Sequence, residues 1–402
     1  MKNLVVGAGL TGAVIAERIA SKLHEEVVVI DKASHVGGAH YDYIDKNTGI
    51  LIQPKHANFL HTDKKYVWDY LSDFSKMICS TFSPTVEIQG NYTSMPLCLD
   101  VFREVFPDDF GKMLENKLIA KFGYNKKITL ADMHRNFDDD LKFLADYFYE
   151  NVYKPYTMKL WGISEDEVPA CEDSYFPFFI SNDSRYYKDK YQAVPQNGWT
   201  AMIENILKHK NIKLKLNTEF SEINTDKFDR IFFTGSIDEY FDYKHGELPY
   251  RSVRVEIDTN YNNMYGQTCN FPISYDFLRR VCYTNIPRIA LGTSSEIIGF
   301  EYIEPFELGK NERFYPIQNA KSQEILQKYL QEASELSKVY FVGKLGEFKY
   351  YESDELVTRA FETVASLMIK NTEPEEETEN EIELENANEW RIPFIRWLSK
   401  IN

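Results

Sequence analysis

The hexapeptide GAGLTG at residues 7–12 constrains this chain more than any other feature. Its G-x-G-x-x-G form is weak evidence alone, but its setting is specific. It follows the apolar run Lys2–Val6, opens a helically spaced stretch over Ala13–Leu23, and precedes a second apolar run, Glu26–Asp31, that ends in an acidic residue. That order describes a β-α-β unit feeding a parallel sheet. Gly7 permits the tight turn, Gly9 lets a pyrophosphate approach the N–H groups at the helix N-terminus, and Gly12 lets helix and strand pack closely. Leu10 and Thr11 complete the cradle, and Asp31 is placed to accept hydrogen bonds from ribose hydroxyls. Beyond Asp31 come Lys32 and then Gly37, Gly38 and Ala39, an acidic residue followed by a Gly-Gly pair as in many flavoproteins. A second glycine turn at Gly343 lies late in the chain, where FAD domains often close. Together these features predict FAD rather than NAD.

Composition narrows the partners. The 402 residues carry a formal net charge of −16. Nine Glu and three basic residues lie beyond Lys370, which leaves −10 on residues 1–370. A body this acidic has no global attraction to nucleic acid or anionic membranes, so an anionic substrate needs a local basic cluster. Five cysteines, at 79, 98, 171, 269 and 282, show no CxxC or zinc-type spacing and read as free thiols in a reducing compartment, with no metal motif. With no signal pattern and no apolar stretch of transmembrane length, the expected location is the cytoplasm.

Periodicity divides the chain. Residues 1–80, 196–245 and 320–370 are expected to form a discontinuous Rossmann-like FAD-binding domain. Its strands include 212–217 and 230–235, and its helices span 322–336 and 354–369. Residues 98–172 read as a helical insertion. Residues 81–97, 173–195 and 246–319 are expected to form an antiparallel sheet domain for substrate. Residues 371–402 form a Glu-rich linker and an amphipathic end, WRIPFIRWLSKIN, suited to pack on the body or to contact a membrane or glycosyltransferase. The expected class is α/β.

The strings TGSIDEYFDYKHGELPYRS (234–252), VGKLGEFKYYESDELV (342–357), KPYTMKLWGISEDEVPA (154–170) and YYKDKYQAVPQNGWTAMIE (186–204) are long and unusual. With VVGAGLTGAVIAE (5–17), VVVIDKASHVGGAHYD (27–42), YVWDYL (66–71) and ERFYPIQN (312–319), they make the chain resemble bacterial UDP-galactopyranose mutases over nearly all of residues 1–370. The resemblance implies a reduced flavin whose N5 attacks the sugar's anomeric carbon and expels the nucleotide diphosphate. The ring then opens and recloses as a furanose. The protein's share is orientation, phosphate neutralisation and exclusion of water.

Carried over residue by residue, the resemblance places Tyr156 on the nucleobase and Trp161 beside substrate and flavin. It places Tyr186, Tyr315 and Tyr350 on the diphosphate, Arg251 and Arg280 near diphosphate and sugar, and Glu301 in the site. Arg251, Arg280, Glu301 and Tyr350 are the catalytic candidates, and Glu352 joins the substrate set. The cofactor set gains Asn58, His61, Lys344 and Tyr351. In a chain with 27 Tyr and 27 Phe, any one aromatic is more often core; the surrounding strings reverse that for Trp161 and Tyr350.

Three departures stand out. Tyr175 replaces the family's mobile arginine clamp. In HANFLHT (56–62), His56 replaces a glycine and Asn58 a histidine; His56 either supplies an imidazole from a new position or fills space. Lys344 and Glu352 replace an arginine and an aspartate. These changes suggest a different nucleotide sugar, such as a dTDP-fucose or UDP-N-acetylgalactosamine, with UDP-galactose the leading single candidate. The activity would serve cell-surface polysaccharide (lipopolysaccharide or capsule) synthesis. An external donor such as NAD(P)H would reduce the FAD, and the family suggests a homodimer. A flavin oxidoreductase and a non-catalytic relative are the other readings.

Overall fold

The computed structural model describes residues 1–261, 266–286 and 296–370. The acidic linker and amphipathic end expected at 371–402 lie outside the described residues. The valine-rich runs at the start do form adjacent parallel strands, Lys2–Val6 and Glu26–Ile30, with the helix Leu10–Arg18 between them. Three further parallel strands complete a five-stranded sheet in the order Ile212–Lys215, Glu26–Ile30, Lys2–Val6, Arg230–Phe233, Val339–Phe341. Strands buried on both faces need continuous apolar runs, which the inner strands have, whereas the edge strand Ile212–Lys215 alternates with lysines and is mostly exposed. The first helix is almost wholly buried and packs against the helices Gly198–Ile206 and Ser353–Lys370. This is the Rossmann-like half, assembled from distant stretches of chain.

The helical insertion contains Val101–Glu104, Asp108–Phe122, Leu130–His134, Asp139–Phe148 and Lys154–Trp161, the last two joined by a widened turn at Tyr149–Tyr153. Its core of Leu114, Leu118, Leu141, Leu144, Phe148 and Val152 extends unbroken to Tyr156, Trp161 and Tyr315, so the insertion and the site share one packed interior.

The large sheet has seven strands, ordered Tyr315–Pro316, Tyr250–Tyr261, Glu296–Pro305, Arg279–Cys282, Thr268–Asn270, Thr85–Ile88, Asn91–Ser94. It is antiparallel except where Thr268–Asn270 meets Thr85–Ile88 in parallel. Residues 173–195, expected within it, lie elsewhere. Pro177–Phe179 pairs with Lys127–Thr129 and Leu97–Cys98, and Tyr191–Pro195 pairs with Leu60–Thr62 and Met77–Cys79. Both strands are short and bounded by a proline, which cannot donate to a ladder and so suits small peripheral sheets. Among the described residues, no helix is long and apolar enough to cross a membrane.

Candidate functional site

The glycine loop builds the first half of the site. Asp31 Oδ2 accepts from the Ala8 N–H at 2.7 Å and Oδ1 from Ala33 at 2.8 Å, pinning the loop to the end of the second strand. No side chain caps the first helix, so the N–H groups of its opening turn face outward unclaimed by a cap. Gly38 passes so close to Gly9 that a Cβ on it would sit 3.2 Å from the Gly9 Cα. An uncapped helix N-terminus beside two side-chain-free backbones fits a pyrophosphate. Thr11 lies against Gly343, so the late glycine turn reaches the same place. Asn58 Nδ2 donates to the Ala39 carbonyl at 3.3 Å and ties the 56–62 strip to the Gly-Gly turn. Gly7, Gly9, Leu10, Thr11, Gly12, Asp31, Gly38, Ala39, Asn58, Gly343 and Lys344 thus gather at one edge of the parallel sheet. Lys32 does not: its ammonium pairs at the surface with Glu239 at 3.1 Å. Tyr351 packs with the core around the first helix.

A cleft opens beside this cradle. Tyr156, Leu160 and Trp161 from one helix, with Tyr186, Tyr187, Tyr315, Tyr350, Arg279, Glu352, His56 and Asn58, line it. Trp161 and Tyr315 meet edge to face, and Tyr315 stacks with Tyr350. The Trp161 Nε1–H is buried without a protein acceptor, a donor left for a ligand. Lys344 Nζ lies 4.7 Å above Phe314 and 4.8 Å above Tyr350. Burial pushes its ammonium down to about 8, opposed by Glu352.

The arginines are placed differently from expectation. Arg280 faces away from the cleft, its guanidinium 4.5 Å above Phe271. Strand side chains alternate, so the neighbour Arg279 faces in. Its Nη2 donates to Tyr156 Oη at 2.9 Å and its Nε lies 3.2 Å from Glu301. Arg251 stands behind the wall: Nη2 donates to the Ile303 carbonyl at 3.0 Å, and the guanidinium presses on Gly162, where a Cβ would lie 2.3 Å from Nη1. Arg251 therefore braces the helix end that carries Trp161. Tyr175 is 61% exposed on its loop and adds nothing to the cleft wall.

Two buried networks lie beneath. Glu301, fully buried, is held between His56 Nδ1 at 3.3 Å and Arg279. Burial would raise its carboxyl, but His56 and Arg279 keep it below the usual range. His56, at the position where the resemblance implies a glycine, is therefore a hydrogen-bond partner of the buried acid as well as filler. The second network is His61, stacked 3.5 Å from Tyr187, with Nδ1 3.0 Å from Asp189 and Nε2 3.6 Å from Glu352. Glu352 in turn accepts from the Tyr350 hydroxyl at 3.1 Å. His40, whose Nε2 lies 2.8 Å from Ser353 Oγ, is driven down to about 3 by burial, with Lys344 and His56 adding to it. His40, Tyr187, Asp189 and Arg279 were not singled out from sequence.

His61 carries a pH prediction. Burial alone would lower the imidazole, but Asp189 and Glu352 raise it to about 9, against an ordinary 6.5. A raised folded value contributes stability that is complete below pH 6.5 and lost as pH climbs towards 9. Lys344 acts in the opposite sense, its penalty lifting only between about 8 and 10.5. The clean window is therefore pH 6.5–8, where the wild type should lose about 2 kcal/mol more than His61→Asn. Urea unfolding of both proteins with excess flavin at the two pH values measures it. Equal losses would mean that His61 is neutral.

A family model described as UDP-galactopyranose mutase matches residues 151–350, and one described as an NAD(P)-binding Rossmann-like domain matches residues 5–74. A probable UDP-galactopyranose mutase of Klebsiella pneumoniae is 28% identical over 391 residues, covering 93% of this chain and 97% of that protein. A dTDP-fucopyranose mutase of Escherichia coli is 27% identical over 391 residues, covering 92% and 99%. A crystal structure of reduced UDP-galactopyranose mutase superposes with a TM-score of 0.66 at 14% identity, covering 92% of this chain and 94% of that one, a likeness of fold.

Proposed function

We propose that this chain, which belongs to the UDP-galactopyranose mutase family of isomerases, interconverts the pyranose and furanose forms of a nucleotide-linked sugar. The observation that carries the reading is the junction at Asn58. This residue lines the aromatic cleft and bonds the Gly-Gly turn of the dinucleotide cradle, so a flavin in the cradle would border a substrate in the cleft. The cofactor we assign is FAD, needed in reduced form and recharged by a donor such as NAD(P)H. When bound and reduced, it would supply a nucleophilic nitrogen to the anomeric carbon, held by the glycine loop and the strip around Asn58.

The chain's own residues do the rest. Arg279 presents a permanent positive charge to the diphosphate, and the Tyr315 hydroxyl donates beside it, joined by Tyr350 once its hydroxyl leaves Glu352. Lys344, whose stem and ammonium lie over aromatic faces, adds a second charge below about pH 8. Tyr156 serves the nucleotide end, where its hydroxyl is oriented by Arg279. Trp161 covers the sugar and offers Nε1–H to a sugar oxygen. Arg251 acts at one remove, by fixing the Trp161 helix end. Glu301 holds Arg279 and His56 in place from beneath.

UDP-galactose and dTDP-fucose are the two substrates we favour, since relatives named for each match almost equally well. His56 at the cofactor edge and the exposed Tyr175 set this chain apart from the family pattern and favour a sugar other than galactose. A role in surface-polysaccharide assembly follows from the furanose product. The test is chromatography of UDP-galactofuranose and of dTDP-fucofuranose after incubation with dithionite-reduced, flavin-loaded protein. Conversion of either to its pyranose is expected. No conversion of either rejects both named substrates, and net flavin oxidation by substrate would indicate an oxidoreductase instead.

A further inference from the structure

Away from the cleft, the helical insertion brings three metal-binding side chains together. His134 ends the helix Leu130–His134, Asp146 lies on Asp139–Phe148, and Cys171 opens the turn Cys171–Asp173. Their ligand atoms all lie within 4.8 Å of one another. His134 Nε2 is 3.2 Å from Asp146 Oδ1, and His134 Nδ1 is 4.0 Å from Glu172. Cys171 is buried, His134 is largely buried, and Asp146 is half exposed, which leaves a way in for an ion.

We propose that His134 Nε2, Asp146 Oδ1 and Cys171 Sγ hold one zinc-type divalent cation, with Glu172 orienting the imidazole through Nδ1. Tetrahedral bonding to sulfur, nitrogen and oxygen puts ligand atoms about 3.4–3.6 Å apart. The His134–Asp146 spacing of 3.2 Å is close to that already, and the sulfur lies within 4.8 Å of both partners, in reach of a rotamer adjustment. One thiolate, one imidazole and one carboxylate form a borderline-soft set that suits zinc over magnesium or calcium. Three protein ligands leave a fourth position for water. A carboxylate behind the imidazole is the usual outer partner of a metal-bound histidine.

The protonation chemistry balances. Burial, with Asp146 and Glu172 adding to it, pushes the Cys171 thiol up to about 12, so without metal it is a neutral thiol beside Asp146. On binding, the sulfur–metal bond replaces the S–H bond and the proton leaves to solvent, with no electron transfer. The cation would balance the charges of the Cys171 thiolate and the Asp146 carboxylate and cross-link two helices and a turn. No sequence motif announces this site, because its ligands come from separate elements.

The test is titration of the full, flavin-loaded chain with Co²⁺ under anaerobic conditions. The expected result is saturation at one equivalent, with a thiolate-to-cobalt charge-transfer band and ligand-field bands to the red of the flavin absorption. Zn²⁺ should bleach these bands. Cys171→Ser should abolish the charge-transfer band while the flavin spectrum stays unchanged, and Glu172→Gln should weaken binding about tenfold. Absence of a charge-transfer band in the wild type overturns the proposal, whether or not the variants fold. Persistence of the band in Cys171→Ser does so too, since another cysteine would then be the ligand.

Discussion

Arg279→Ala should lower kcat/KM on the nucleotide sugar by about 100- to 1000-fold, whereas Arg280→Ala should lower it less than about fivefold. Arg279 lies on the cleft wall, where its Nη2 orients Tyr156. Truncating it removes the guanidinium we propose for the diphosphate, an expected loss of about 3–4 kcal/mol where charge would build on the leaving group. It also leaves the fully buried Glu301 with only its His56 contact, and a buried charge stripped of its cationic partner destabilises its surroundings. Arg279→Lys separates the two effects. It restores charge beside Glu301 but lacks the planar fork, so stability should recover while kcat/KM stays at least about tenfold down. Arg280, stacked on Phe271 on the other face of the sheet, should register in thermal stability instead. Steady-state kinetics and thermal melts of the three variants decide the matter. Near-equal kinetic losses at Arg279 and Arg280 would reject the assignment of Arg279 to the site.

The contrast between these two arginines marks where the sequence becomes illegible. A β-strand turns alternate residues to opposite faces, so an alignment uncertain by one residue picks the wrong side chain. The structure resolves it through register. Arg279 pairs across the sheet with Glu301, and Arg280 with Phe300. Once Glu301 is assigned to the site, its cross-strand partner must be Arg279, but that pairing is invisible along the chain. His56 is a second case. Its replacement of a glycine was plain in sequence, yet its ion pair with Glu301 joins residues hundreds of positions apart. The short strands of 173–195 carry no periodicity long enough to reveal their partners. The β-α-β unit and the helices were legible because their determinants are local: apolar runs, 3.6-residue spacing, and glycines at fixed offsets. Even Trp161, found through its family string, sits at a helix end that Arg251 braces through contact with Gly162.

Gly12→Ala should yield protein that purifies without bound flavin and loses at least about 3 kcal/mol of stability. A Cβ at position 12 would stand 2.0 Å from the Gly7 carbonyl oxygen and 3.1 Å from Val5 Cγ1. An ordinary contact between carbon and oxygen is over an ångström longer, so backbone must move. The strand Lys2–Val6 cannot yield, because it is paired on both sides within the parallel sheet. The helix cannot yield cheaply either, since Leu10 to Glu17 are all buried against neighbouring helices. The movement therefore falls on the glycine loop and the helix N-terminus. Those are the N–H groups that would hold the pyrophosphate, and an ångström of displacement there costs charge-assisted bonds of about 1.5–3 kcal/mol each. Flavin affinity should fall at least about 100-fold. Absorbance of the purified variant and titration with added FAD measure this, and circular dichroism checks that the rest of the chain is folded. A variant that retains stoichiometric flavin at wild-type affinity would show that the glycine loop does not grip the cofactor as inferred.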